Sequence, residues 1–221
     1  MPSPTITLVI PAYNEAEYIS TCLEFVRRNS GGRLLEIIVI DNVSTDQTGR
    51  IAAGFSGVRV VKEQQKGLTR ARQRGFTEAR GEVVAYIDAD TQMPAGWCER
   101  VAAAFERDPK VVLVSGPYRY YDISDFRNLL VAFWYRCAYL VYLFTGYLAT
   151  GGNFAIRKSA LDQMKGFDTS IEFYGEDTNV ARRAHQFGKV FFDLRLVMPT
   201  SGRRLKGQGF LKTAALYGVN F

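Results

Sequence analysis

An apolar run, Val83 to Ile87, ends abruptly in Asp88-Ala89-Asp90, two carboxylates separated by one residue. Alternate side chains of a strand point the same way, so Asp88 and Asp90 can face one spot at the strand's C-terminal end. Two hard oxygen ligands with open positions around them suit Mg2+ or Mn2+ carrying a substrate's phosphates. The plainer alternative is an acidic turn, since Asp is common where strands stop. A second acidic pair, Glu176-Asp177, follows Gly175 at the start of a helical stretch, where the helix dipole favours ionised carboxylates. Basic groups lie at two places. Lys66 and Arg70 flank Gly67, whose lack of a side chain lets backbone approach a ligand. Arg70 and Arg74 fall one helical turn apart, while Arg72 and Arg74 read as a solvated basic face. Arg203-Arg204 follow Thr200-Ser201-Gly202, and the planar fork of Arg suits phosphate.

The elements that must position these groups alternate through the first half of the chain. Thr5 to Ile10 is a buried strand closed by Pro11, and a helix opens at Asn14-Glu15-Ala16-Glu17 and runs to about Asn29. Strands follow at Leu34 to Ile40, Val58 to Val61 and Val83 to Ile87, separated by helices to about Ala53 and over Leu68 to Ala79. Ser44 and Asp46 suit the cap of the first of these. Such alternation implies a parallel, doubly wound sheet whose ligands bind outside the carboxyl ends of its strands. The second half is less regular. A helix with Pro94 at its first position reaches about Arg107, and Val111 to Ser115 is a strand. An apolar helix covers Asp122 to Thr145, and Thr150 to Arg157 is a strand entered through Gly151-Gly152. A helix then runs to about Phe187, and Val190 to Phe192 is the final strand.

Composition narrows the partners. The 221 residues carry a formal net charge of +6, which favours anionic ligands such as nucleotide phosphates or acidic lipid head groups. The positive charges are scattered among acids and no nucleic-acid motif appears, so nucleic acid is not expected. A hydrophobic content of 47% gives ample core and excludes disorder. Three widely spaced cysteines and one His offer neither a disulfide framework nor a zinc site, and fit a reducing compartment. The apolar stretch Thr5 to Ile10 is too short for a signal peptide, so the expected address is the cytoplasm, with the inner membrane face as a variant.

In order, Val9-Ile10-Pro11-Ala12-Tyr13-Asn14-Glu15, Asp41-Asn42-Val43-Ser44-Thr45-Asp46, Asp88-Ala89-Asp90, Gly151-Gly152-Asn153 and Gly175-Glu176-Asp177 resemble family 2 glycosyltransferases of the GT-A fold. The resemblance implies a single Rossmann-like, mostly parallel sheet flanked by helices. It implies one domain over 1–221, with a nucleotide-binding half to about 92 and an acceptor-binding half beyond. The expected reaction is inverting transfer of a sugar from a nucleotide diphosphate donor, UDP by default, to a glycan or lipid-linked acceptor, with Mn2+ or Mg2+. By the same resemblance Pro11, Ala12, Tyr13 and Glu15 line the base, Ala12 leaving space for it, and Asp41 accepts its ring N–H. Lys66, Arg70, Ala89, Arg203 and Arg204 belong to the donor site. Asp90 ligates the metal, Asp88 reaches the ribose or the metal, and Gln92 stands where some relatives have a metal-contacting Gln. Asp177 is the general base, and Glu176 binds acceptor or orients that base. Gly151, Gly152 and Asn153 bring backbone and an amide to the sugar. The Q-x-x-R-W signature of processive synthases is absent, favouring a single transfer.

Leu129 to Leu148 is apolar and aromatic, with Arg136 near its middle. A charge there costs roughly 2.5–3.5 kcal/mol on insertion, which argues against a spanning helix. Core packing or a homodimer contact through 129–148 is the expected role, and an interfacial helix with the apolar tail 210–221 is the alternative. Other functions fit less well. Nucleotidyl transfer or dinucleotide binding would want a Gly-rich loop after the first strand, and Pro11 to Glu15 offers none. A non-catalytic binding module would not need the full set of carboxylates.

Overall fold

The computed structural model describes residues 3–171 and 175–208. Strands β1 (Ile6–Ala12), β2 (Leu34–Asn42), β3 (Val58–Glu63) and β4 (Val83–Ile87) alternate with α1 (Ile19–Asn29), α2 (Thr48–Ala53) and α3 (Leu68–Glu78). Then come α4 (Trp97–Arg107), β5 (Val111–Ser115), β6 (Tyr118–Tyr120), α5 (Asp125–Thr145), β7 (Asn153–Arg157) and α6 (Lys158–Met164). The described chain closes with α7 (Glu176–His185), β8 (Lys189–Phe192), β9 (Met198–Thr200) and α8 (Arg203–Gln208).

Seven strands form one twisted sheet in the order β3-β2-β1-β4-β7-β5-β8. Period-two burial explains why helices cover both faces. Ile6, Leu8 and Ile10 of β1 join Val83, Ala85 and Ile87 of β4 in a core under α1, α2 and α4. Val9, Val84 and Tyr86 face the other way, into a core under α3, α6 and α7.

The sheet itself is mostly parallel, as the resemblance implies: β3, β2, β1 and β4 run parallel, and β7 alone enters antiparallel, between β4 and β5. Several sequence expectations are corrected here. Pro11 does not close β1. Pairing with β4 stops at Val9, and the β2 ladder continues to Ala12; a proline is accommodated once the side needing its N–H has no partner. The helix after β1 starts at Ile19, not at Asn14, because Asn14 adopts a left-handed φ of 54° and its loop bonds to the loop after β2. Pro94 lies ahead of α4, whose N-cap is Gly96 at φ 78°. Short β6 and β9 pair in a second sheet, and neither these strands nor α6 was expected.

The apolar helix is corrected too. On α5 only Val131, Tyr135 and Ala138 are buried, packed with Phe192 of β8. It is not a core helix. Its length and composition would suffice to cross a membrane, and most of it is exposed. The tail 210–221 lies outside the described residues.

Candidate active site

The carboxyl ends of β1, β2 and β4 form a rim built by interlocked loops. Asn14 Oδ1 accepts from the Thr45 N–H at 2.8 Å, the Glu15 N–H donates to Thr48 Oγ1 at 2.7 Å, and the Ala16 N–H donates to Asp46 Oδ2 at 3.0 Å. Asp46 therefore ties two loops together, and Ser44 accepts from the Asn14 N–H instead of capping α2. Asp41 Oδ1 accepts from the Ser44 N–H at 3.2 Å. Tyr13 is partly exposed on this rim, with Lys66 Nζ 4.2 Å from its ring centroid and 3.0 Å from its hydroxyl. Arg70 pairs with Gln65. Asn42, at the end of β2, accepts from the Gly67 N–H at 2.9 Å and donates to Gln65 O at 2.8 Å, which shapes the turn into α3. Pro11 is half-buried, whereas Ala12 packs into the core beneath the rim and does not open space on it.

Asp88 and Asp90 emerge where β4 ends, with Ala89 buried between them. The small β6–β9 sheet buttresses both. Tyr118 donates to Asp88 Oδ2 at 2.8 Å, and Thr200 Oγ1 donates to Asp90 Oδ1 at 3.2 Å. The Gln92 N–H donates to Pro199 O at 2.9 Å, fixing the segment just beyond. Arg203 reaches across the cleft: its Nε is 3.0 Å from Asp90 Oδ2, its guanidinium also pairs with Glu15, and it lies over the Tyr18 ring. Arg204 is exposed on α8.

Burial pushes Asp90 up to about 6, and the Asp88 charge adds to this while Arg203 opposes it. Burial also raises Glu15, whose Oε2 is buried without a hydrogen-bond partner. Clustered buried carboxylates with raised affinity for protons also suit a small hard cation. The Arg203 guanidinium on Asp90 marks where positive charge is already accommodated. Among the described residues no three His, Cys, Asp or Glu side chains form a ready-made cage. The Asp88/Asp90 pair thus fits a cation that shares its coordination with a ligand's phosphates.

The second acidic pair, Glu176 and Asp177, is joined to this one through Arg72. Sequence reading assigned Arg72 to a solvated face, and the structure corrects it: the side chain is 1% exposed. Its Nη2 donates to Gly151 O at 2.6 Å and lies 3.9 Å from Asp88 Oδ1, while Nη1 is 3.3 Å from Glu176 Oε1. The helical period places Ala71, Arg72 and Gly75 on the buried side of α3, but period alone does not assign an Arg there. Arg74, by contrast, is exposed and pairs with Glu78, as a solvated face requires.

Glu176 and Asp177 open α7 behind the left-handed Gly175. Burial lifts Glu176 to about 7 against the pull of Arg72, and burial raises Asp177 as well. Asp177 Oδ1 accepts from the Thr178 N–H at 2.8 Å. The glycines are spatial requirements. A Cβ on Gly151 would stand 3.0 Å from both Arg72 Nη2 and Glu176 Oε1, and one on Gly152 would collide with the Asp88 carboxylate and the Tyr118 hydroxyl. Asn153 is a correction. It is fully buried, accepts from Trp97 Nε1 at 2.9 Å and donates to Leu196 O at 2.7 Å and Pro117 O at 3.3 Å. Its amide is consumed by the fold and is not offered to a ligand.

A mixed sheet of this order, with acidic groups gathered at its rim, is the architecture of GT-A glycosyltransferases. The family model for glycosyl transferase family 2 matches residues 7–165, and the chain belongs to that family. EpsH of Bacillus subtilis (strain 168), itself given a provisional glycosyltransferase assignment, is 25% identical over all of this chain and 69% of its own length. Glycosyltransferase AglE of Haloferax volcanii is 34% identical over 44% of this chain and 34% of its own. The chain thus spans about two-thirds of one of these relatives and a third of the other. Among solved structures, the mannosyltransferase PcManGT of Pyrobaculum calidifontis, in complex with GDP-Man and Mn2+, superposes with a TM-score of 0.68 at 22% identity, over 96% of this chain and 64% of its own. Glucosyl-3-phosphoglycerate synthase of Mycobacterium tuberculosis, with Mn2+, UDP-Glc and phosphoglyceric acid, gives 0.68 at 22% identity, over 98% and 79%.

Proposed function

We propose that this chain transfers a sugar, with inversion, from a nucleotide diphosphate donor to an acceptor hydroxyl or lipid phosphate. The observation that carries the reading is the single constellation in which Arg72 links Asp88, beside Asp90, to Glu176, beside Asp177. Residues 1–92, joined by Arg203 and Arg204, serve the nucleotide, and the other later residues serve the acceptor. The base lies along the rim of Pro11, Tyr13 and Glu15, with Asp41 accepting its ring N–H. Lys66, Arg70, Arg203 and Arg204 face the diphosphate.

Asp90 and Asp88, with Gln92 nearby, would hold Mn2+ or Mg2+, which would supply positive charge to offset the diphosphate. Asp177, its proton affinity raised by burial, takes the proton of an acceptor hydroxyl. The acceptor oxygen forms its bond to the anomeric carbon as the carbon–oxygen bond to the diphosphate breaks on the opposite face. Glu176, paired with Arg72, orients the acceptor. An anionic phosphate acceptor would need no base, and Asp177 would then only position it. The described cysteines are free, which supports a reducing, cytoplasmic setting.

A thermal-shift panel of UDP, GDP, CDP and dTDP with and without Mn2+ tests the donor reading. A bound ligand raises the melting temperature by mass action, so one nucleotide should stand out only with metal present. The same shift surviving intact in Asp90→Asn would remove the metal assignment.

A further inference from the structure

We propose that the outer face of α5 is a docking surface for an anionic lipid bilayer, from which the acceptor is presented. Phe126, Leu129, Leu130, Phe133, Cys137, Leu140, Val141 and Phe144 recur at helical spacing and are all exposed, Phe133 by 64% and Phe144 by 91%. At 1.5 Å per residue this stripe is roughly 27 Å long, far more apolar surface than scattered side chains present. The inner face is anchored to the body. Tyr142 donates to Val190 O at 3.0 Å, Asn128 bonds both ways to Tyr120, and Val131, Tyr135 and Ala138 pack beside Phe192. The helix therefore lies along the protein and meets a membrane sideways, without crossing it.

Charge selects lipid over a second copy. Arg136 flanks the stripe at its mid-length, and the acid of α5, Asp125, lies at the helix's N-terminal end. In a two-fold pairing of this face, the two Arg136 side chains would come to the same edge of the contact, with no acid of α5 there to receive them. Against a bilayer the same side chain lays its stem on the apolar surface and carries its guanidinium to a phosphate. The net charge of +6 adds attraction to anionic head groups.

The stripe also leads to the site. Just ahead of α5, Tyr121 donates to Asp90 O at 3.2 Å and Asp122 accepts from Ser201 Oγ at 3.0 Å, beside Arg203. Docking thus sets the carboxylate cleft next to the head groups. The proposal rests on the transfer reading only for its acceptor. Vesicle binding is read without turnover and the nucleotide shift without vesicles, so the two can fail separately.

The test is co-sedimentation of the full chain with phosphatidylcholine vesicles, with and without phosphatidylglycerol. Binding should require phosphatidylglycerol and fall roughly tenfold in a Phe133→Asp/Phe144→Asp double variant whose melting temperature is unchanged. Arg136→Ser should weaken binding and reduce its salt sensitivity. Vesicle binding indifferent to these α5 changes would overturn the proposal. So would a wild-type dimer that the double variant dissociates while neither form binds vesicles. Binding that emerges only after deletion of 209–221 would do the same, assigning the face to the chain's own tail.

Discussion

Arg72 Nη1 stands 3.3 Å from Glu176 Oε1, joining two residues 104 positions apart across the floor of the cleft. The same guanidinium approaches Asp88 and holds the Gly151 carbonyl, so one buried cation sets the spacing between the acid that ends β4 and the acid that opens α7. Removing it leaves carboxylates without their counter-charge. Arg72→Ala should cost about 3–5 kcal/mol of stability, measured by denaturant unfolding. Arg72→Lys should recover part of that, yet not the three-way geometry, because an ammonium lacks the planar fork.

At Gly152 an added methyl would collide with both the Asp88 carboxylate and the Tyr118 hydroxyl. Gly152→Ala should lower stability by about 1–3 kcal/mol through overpacking. Calorimetric titration should also register weaker nucleotide binding, because Asp88 must move. Unaltered affinity would mean Asp88 does not touch the donor.

Asp177→Asn removes a proton acceptor while keeping shape. Transfer to a hydroxyl acceptor should fall about 10²–10⁴-fold in kcat, with the nucleotide thermal shift unchanged. Loss of both together would recast Asp177 as a structural residue.

Glu176 predicts a pH dependence of stability. Its folded value, about 7, lies above the ordinary 4.5, so the native state holds a proton that the unfolded chain releases. Its contribution is fully present below about 4.5 and is lost as pH rises through about 7. Glu176→Gln should therefore flatten the fall in stability over that window, as followed by urea unfolding at stepped pH.

Arg203 binds Asp90 and Glu15 at once. In Arg203→Ala, Mn2+ alone should bind more tightly because its competitor is gone, whereas the nucleotide diphosphate should bind more weakly for want of a phosphate partner. Calorimetry of each ligand separately reads the two signs.

Much of the carboxylate rim was legible because it is local. The period-two runs of β1, β2 and β4 fix which residues end each strand, and so bring Asp41, Asp88 and Asp90 to one edge. Asn153 misled for the opposite reason. Its sequence neighbours suggest a loop amide facing a ligand, but its partners Trp97, Pro117 and Leu196 come from three distant segments. A hint for Arg72 did exist, as it adjoins the buried Ala71 on a helix otherwise rich in exposed charge. Only the arrival of Gly151 and Glu176 makes its burial favourable.

By itself the sequence determined the strand-and-helix alternation and the acidic groups that end β4 and open α7. These follow from side-chain period and from backbone preferences within a few residues. Tertiary structure alone decided the antiparallel seat of β7, the β6–β9 buttress, the burial of Arg72 and the outward turn of the α5 stripe. Each depends on which distant segments come to lie together, and a buried charge or an exposed apolar face has its meaning only from those neighbours.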